Sequence, residues 1–190
     1  RRPRVESLAR RAMLTTFVVE SGAIDGTGAA NDRLGSIQDA VDAAGTSPGP
    51  DTVMIRAGDY TEHIKAKDTA PLTIQGQGEV TINAEDAGED VIDVKGTGAI
   101  TIRNLNVVGG DKAIDIDAGI PSATLVHVTT TGTDSDGVQI GDNDDDEPMV
   151  GWVRIVNCYF ENGSDGMDLE NIGTVQVINT SVYGNSDDGL

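Results

Sequence analysis

The residues best suited to chemistry in this sequence are carboxylates set at regular distances. Ser164-Asp165-Gly166-Met167-Asp168 is followed by Asn185-Ser186-Asp187-Asp188-Gly189, so Asp165 and Asp188 lie 23 residues apart. Two neighbouring carboxyls can divide the hydrolysis of a glycosidic bond. One protonates the leaving oxygen while the other activates water or attacks the sugar. Asp-Gly also recurs at Asp136-Gly137, where it reads as ordinary turn chemistry. The recurrence makes a structural turn the default for the whole series, with catalysis as the sharper alternative. A second candidate is Gly141-Asp142-Asn143-Asp144-Asp145-Asp146-Glu147, where Asp142, Asp144 and Asp146 place oxygen ligands at alternate positions. That pattern suits a hard cation such as Ca2+, which takes about six to eight oxygens. An EF-hand would need Gly where Glu147 stands and a bidentate Glu where Val153 stands. The segment is therefore either a simpler exposed Ca2+ site or a solvated acidic loop.

The remaining candidates carry less. His63 and His127 have no partner at catalytic or metal-ligand spacing, and His127 falls in a series with Asn104, Asn157 and Asn179 that suggests a stacked turn. Cys158 lies inside a strand pattern as a small buried filler. Trp152 and Tyr159 offer a sugar-stacking surface or, more plainly, cover for a core edge. Asp115 and Asp117 alternate with Ile114 and Ile116, which points both carboxylates outward into solvent.

Something must hold these groups in place, and the chain gives two kinds of element. Ser36–Gly45 is the one convincing helix. Ser36 serves as N-cap, Asp39 stands in the first turn, Ile37, Ala40, Val41 and Ala44 share a face, and Gly45 supplies the stop. A first strand is expected at Thr16–Glu20. After the loop Thr46-Ser47-Pro48-Gly49-Pro50 the signals are all of strands, and they repeat. One series is Leu72-Thr73-Ile74, Ile100-Thr101-Ile102, Thr124-Leu125-Val126, Val153-Arg154-Ile155 and Val175-Gln176-Val177. A second begins at Asp90, Lys112, Asp136, Asp165 and Asp188, at intervals of 22, 24, 29 and 23. The third, Asn104, His127, Asn157 and Asn179, is spaced 23, 30 and 22. The long interval in both spans the Asp-rich stretch, as an insertion would.

A period of 22–24 residues with two or three strands is too short for a propeller blade. It predicts an all-β parallel solenoid whose narrow coils stack about 4.8 Å apart, with the helix capping the first coil. The expected division is a basic segment at 1–15, a strand and capping helix at 16–50, and coils at 51–190 with the last one incomplete. An incomplete coil leaves a strand edge open, which predicts a longer native chain, a partner subunit or self-association.

Composition limits what such a solenoid can bind. The 190 residues carry 13 Lys+Arg against 32 Asp+Glu, a net −19, and no run of about 20 apolar residues that would span a bilayer. Five of the basic residues (Arg1, Arg2, Arg4, Arg10, Arg11) precede residue 12 with only Glu6 opposing them. From residue 12 onward eight basic side chains therefore face 31 acidic ones. Nucleic acid is excluded as a partner, since phosphate binding needs clustered Lys and Arg. A single cysteine excludes an internal disulfide framework.

Two resemblances follow from these residues. Ser36–Ala44, Asp51-Thr52-Val53-Met54-Ile55-Arg56-Ala57-Gly58-Asp59-Tyr60-Thr61-Glu62 and Leu72-Thr73-Ile74-Gln75-Gly76 together resemble the start of right-handed parallel β-helix proteins of the pectin-lyase-like superfamily. That superfamily holds lyases, hydrolases, esterases and non-catalytic surface proteins, so the resemblance implies a fold before a function. The segments around Asp165 and Asp188 are similar to the polygalacturonase pattern, Asn-Thr-Asp-Gly-x-Asp followed one coil later by Asp-Asp. The similarity implies that Asp187 and Asp188 are acid or water-activating groups, with Asp165 sharing the work. Gly163 and Ser164 stand where the pattern has Asn and Thr, and no His-Gly or Arg-x-Lys segment is present. Segments of the pectin methylesterase and pectate lyase kinds are also missing. At the other end, Leu8-Ala9-Arg10-Arg11-Ala12-Met13-Leu14 resembles the bacterial surface-protein motif Leu-Glu-Pro-Arg-x-Leu-Leu, with Leu8, Arg11 and Leu14 matching. The alternative there is a basic, frayed terminus. The expected protein is an extracellular or cell-surface solenoid with a structural or carbohydrate-interacting role. The alternative is a glycan-active hydrolase or lyase acting on a polysaccharide.

Overall fold

A computed structural model describes residues 14–22, 33–96, 98–142 and 150–189. One helix, α1 (Ile37–Thr46), forms where the apolar spacing placed it, and Ile37, Ala40, Val41 and Ala44 are the residues it buries. Ser36 is the N-cap, its hydroxyl accepting from the Asp39 N–H. Glu62 adds a second cap from outside the helix. Its carboxylate accepts from Ser36 Oγ and from the N–H groups of Ile37 and Gln38, each at 3.0 Å. A negative charge at a helix start satisfies free N–H groups and meets the positive end of the dipole. Gly45 does not stop the helix as expected. The turn continues to Thr46, whose hydroxyl bonds the Ala43 carbonyl, and Ser47 N–H closes it on Ala44.

The other elements are strands: β1 (Thr15–Val19), β2 (Arg33–Leu34), β3 (Asp51–Thr61), β4 (Ile64–Lys67), β5 (Leu72–Asn83), β6 (Ile92–Lys95), β7 (Ile100–Val108) and β8 (Ile114–Ile116). They continue as β9 (Ser122–Thr131), β10 (Val138–Ile140), β11 (Val150–Val156), β12 (Tyr159–Glu161), β13 (Met167–Leu169), β14 (Ile172–Ile178) and β15 (Ser181–Tyr183). The first strand lies one residue earlier than expected. Every pairing is parallel. One sheet runs β14-β11-β9-β7-β5-β3-β1-β2, with β12 and β15 attached through β9; the other runs β13-β10-β8-β6-β4. From β3 onward chain order is thus spatial order, and the repeats from β3–β4 to β11–β13 contribute to both sheets.

Register is nearly as read from the sequence. Ile92, Ile114, Val138 and Met167 align, and Ile64 extends that column one repeat earlier. In the larger sheet Ile100 pairs with Ala123, so the aligned triplet is Ala123-Thr124-Leu125 and not Thr124-Leu125-Val126. Burial decides this: Ala123 and Leu125 are inside, and a slip by one residue would turn both out to solvent. The core is the stack of inward residues, dominated by Ile and Val, and Phe160 is its largest fully buried side chain.

The corners explain the asparagines. Asn104, His127, Asn157 and Asn179 have φ of 57°, 52°, 54° and 47°, the left-handed region that Asn tolerates better than most residues. Asn157 Nδ2 lies 3.0 Å from His127 Nε2, so the column is linked by side chains as well as by backbone. A second corner, missed in the sequence, is built from Gly109, Gly132, Asn162 and Gly184, all with positive φ. It follows the same 23, 30, 22 spacing.

Candidate functional site

The outward side of the five-stranded sheet gathers most of the candidate chemistry. Lys65, Asp93, Asp115, Gln139 and Asp168 stand in register across it, one from each strand. Flanking them before the strands run Asp90, Lys112, Asp136, Asp165 and Asp188, and after them Lys95 and Asp117.

The first part of this face is an ion network. Lys95 Nζ lies 3.6 Å from Asp93 and 3.4 Å from Asp117, and Lys112 Nζ lies 3.7 Å from Asp115. The expectation that Asp115 is solvated is corrected here, since its side chain and that of Asp93 are each only 10% exposed. Alternation turned Asp115 to the side where Lys112, Lys95, Asp90 and Asp117 gather, and it is buried there among charges. Burial pushes the Asp115 carboxyl up to about 6 against the pull of Lys112. Burial opposes the Lys95 charge, yet Asp93 and Asp117 outweigh it and raise the Lys95 pKa. Asp117, at 41% exposure, is closer to the solvated state expected of both.

Further along, the cations run out. Asp136 is buried, and burial raises its pKa, helped by Asp165 and Asp168 and only partly offset by Lys112. Asp168 accepts a long bond from Gln139 Nε2 at 3.4 Å. Of the three residues assigned to catalysis, Asp165 is half-buried while Asp187 and Asp188 are exposed. Asp165 and Asp188 do meet, but through the backbone: Asp165 Oδ1 accepts the Asp188 N–H at 2.8 Å. Asp90 accepts the Lys112 N–H in the same way at 3.1 Å, three repeats earlier in the column. Asp187 N–H bonds the Ser164 carbonyl at 3.0 Å.

The glycines after Asp136 and Asp165 have a packing reason. A Cβ on Gly137 would lie 2.7 Å from the Gly166 carbonyl oxygen and 2.8 Å from Thr130 Oγ1. A Cβ on Gly166 would meet the Val182 side chain in the same way, so these two corners leave no room for a side chain. Asp136 and Asp168 are the members of this cluster that sequence reasoning left out. Their signal was present, since Asp136 shares a column with Asp165, but it was absorbed into turn chemistry.

The other candidates are dispersed. His63 is paired after all, its Nδ1 with Glu89 Oε2, 26 residues on, with Lys65 Nζ 3.7 Å from the same oxygen. Cys158 is buried, and burial raises its thiol pKa. Trp152 and Tyr159 are about one-third exposed on outward positions and belong to different strands, β11 and β12. Asp142 is exposed, whereas Asp144 and Asp146 lie outside the described residues. Among the described residues no three His, Cys, Asp or Glu are arranged to hold a metal ion, and no helix is long and apolar enough to cross a membrane.

Fold and site together define a mostly β protein of stacked parallel strands with an acidic, partly lysine-balanced face. No protein family, curated protein or solved structure matches the chain.

Proposed function

We propose that the strands wind as a right-handed parallel β-helix of the pectin-lyase-like kind, and that the protein is a non-catalytic extracellular or cell-surface scaffold that contacts polysaccharide. The handedness rests on the parallel crossovers, which are right-handed in about 98% of cases. The non-catalytic reading rests on one observation. The Asp165 carboxylate is used by the backbone of the next repeat, as Asp90 is in a repeat where no catalytic pairing exists. Incubation with a panel of neutral and acidic polysaccharides is expected to release no reducing sugar, while affinity electrophoresis shows retardation in a neutral glycan gel. Sugar release abolished by Asp165→Asn would overturn it. Retardation by no glycan would reduce the role to a purely structural one.

A second reading is a glycoside hydrolase using Asp165, Asp187 and Asp188. The gathering of Asp136, Asp165 and Asp168 at the corner that Asp188 joins favours it, because glycoside hydrolysis needs neighbouring carboxyls. The same panel decides between the two. The Ca2+ reading of Asp142, Asp144 and Asp146 rests on the sequence pattern. It requires a rise in Tm on adding Ca2+, and an unchanged Tm removes it.

A further inference from the structure

One repeat departs from the others in the middle of the larger sheet, away from both ends of the stack. Strand β5 takes six steps from Gln75 to Thr81, while β7 takes three between their register partners Arg103 and Asn106. Of the residues in between, Gln77, Gly78 and Glu79 are exposed. Beside them, against the corner of Asn104 and His127, lies a cleft of about 400 Å3. Sites for small ligands span about 300–1,000 Å3. The backbone approach that shapes the cleft is fixed, since a Cβ on Gly76 would lie 2.1 Å from the Asn104 carbonyl oxygen. Insertions in a repeat protein gather on one face, which is often the face that binds.

The lining decides what fits. Val80 and Leu105 are its apolar part, and both are buried. Glu79, Asn104, Asn106 and His127 stand around them. Among the described residues the side chains of Glu79, Asn104 and Asn106 make no hydrogen bond or ion pair, and His127 uses only Nε2, on Asn157. No Lys or Arg lines the cleft, so an anion would find nothing to neutralise it in a chain of net −19. One carboxylate is too few for a metal ion, and no three His, Cys, Asp or Glu among the described residues are arranged to hold one. Aromatic rings on which a flat ligand would stack are missing from the lining. Two apolar side chains give a lipid too little to bury against.

We infer that this cleft is a binding subsite for a neutral sugar unit of a polysaccharide chain. A side-chain amide offers donors and an acceptor, and a carboxylate accepts only. Together they match neighbouring hydroxyls, each of which donates and accepts. Val80 and Leu105 give the C–H face of a pyranose ring an apolar surface to rest on. Glu79, Asn104 and His127 are exposed, so a unit within a long chain reaches them as well as a terminal one. The inference rests on the glycan reading proposed above and adds to it a place and a sugar class. It puts the contact on the larger sheet, away from the aspartates of the five-stranded one.

Affinity electrophoresis of the full chain in gels of a neutral galactomannan, a neutral β-glucan and an anionic polygalacturonate tests it. Retardation is expected in at least one neutral gel and not in the polygalacturonate. Glu79→Ala combined with Asn106→Ala should weaken that binding at least about tenfold in Kd, through the hydrogen bonds lost. The melting curve should hardly change, because neither side chain bonds the rest of the fold. Glu85→Ala removes the same charge outside the cleft and should bind as the parent does. Without any substitution, an oligosaccharide cut from the retarding polymer should shift the NMR amide signals of Leu105 and Asn106 and leave that of Asp115 in place. The reverse pattern, or a double variant retarded as strongly as the parent, would overturn the site while the glycan reading stands. Retardation in polygalacturonate alone would overturn the neutral class. No retardation of the parent in any gel would overturn the site together with the reading it rests on.

Discussion

The first and last repeats of this molecule are made from the same parts and end in opposite states. Ile155 and Val177 are register partners, and one is sealed in the core while the other is 42% exposed. At the first end Gln38 bonds Lys65 where another strand would, and at the last end β14 has open backbone on its far side. The charged face follows the same gradient, from Lys65, Lys95 and Lys112 among aspartates to Asp136, Asp165, Asp168, Asp187 and Asp188 with little to balance them. In a stacked architecture, then, a residue's energy depends less on its type than on whether another repeat follows it.

The largest effect should come from the register partners themselves. Ile155→Ala is expected to cost about 3 kcal/mol, whereas Val177→Ala should cost less than about 1, because only the former leaves a cavity. Urea denaturation of the two variants measures the difference; equal losses would mean that the last end is covered in solution. Next comes Glu62→Ala, which takes three hydrogen bonds from the start of α1 and should cost about 1–2 kcal/mol, with loss of helical circular dichroism. Gln38→Ala should cost about 1 kcal/mol, and its specific mark is faster hydrogen exchange at the Lys65 amide. No change in that amide would show that the edge is protected by the helix alone.

Asp115→Asn should give the smallest effect at neutral pH, because losing the ion pair with Lys112 offsets the relief of a buried charge. Its signature lies in the slope. The folded carboxyl titrates at about 6 and the unfolded one near its ordinary 3.8, so the folded state holds the proton more tightly between those values. That contribution to stability is complete below 3.8 and is lost as pH rises through 6. Subtracting the variant's stability–pH curve from that of the parent should expose this fall, and a flat difference would refute the assignment.

Much of this architecture is legible in the residues. The helix face, the aligned columns from Asp90 onward and the Asn104–Asn179 corner follow from local rules of spacing and backbone preference. The misreadings share a cause. Thr124-Leu125-Val126 and Ala123-Thr124-Leu125 both contain an apolar residue at the right interval, and only the face each presents to the core separates them. Asp115 looked solvated because alternation says which way a side chain leaves the sheet, not what then covers it. For the candidate site the sequence supplied Asp165, Asp187 and Asp188. The bond from Asp165 to the Asp188 backbone, and the burial of Asp136 beside them, depend on how closely the repeats stack, and one-dimensional spacing does not carry that.

From β3 onward order along the chain equals order along the stack, so synthesis and assembly run in the same direction. Helix α1 and Gln38 leave the ribosome early, so the closed end exists before most strands do. Each later repeat then meets a finished template of backbone groups and apolar side chains, and needs no contact with segments still to be made. Every growth intermediate would therefore carry at its leading edge the same kind of surface that β14 presents. The uncovered edge of β14 is thus the kind of surface that each repeat offers to the next.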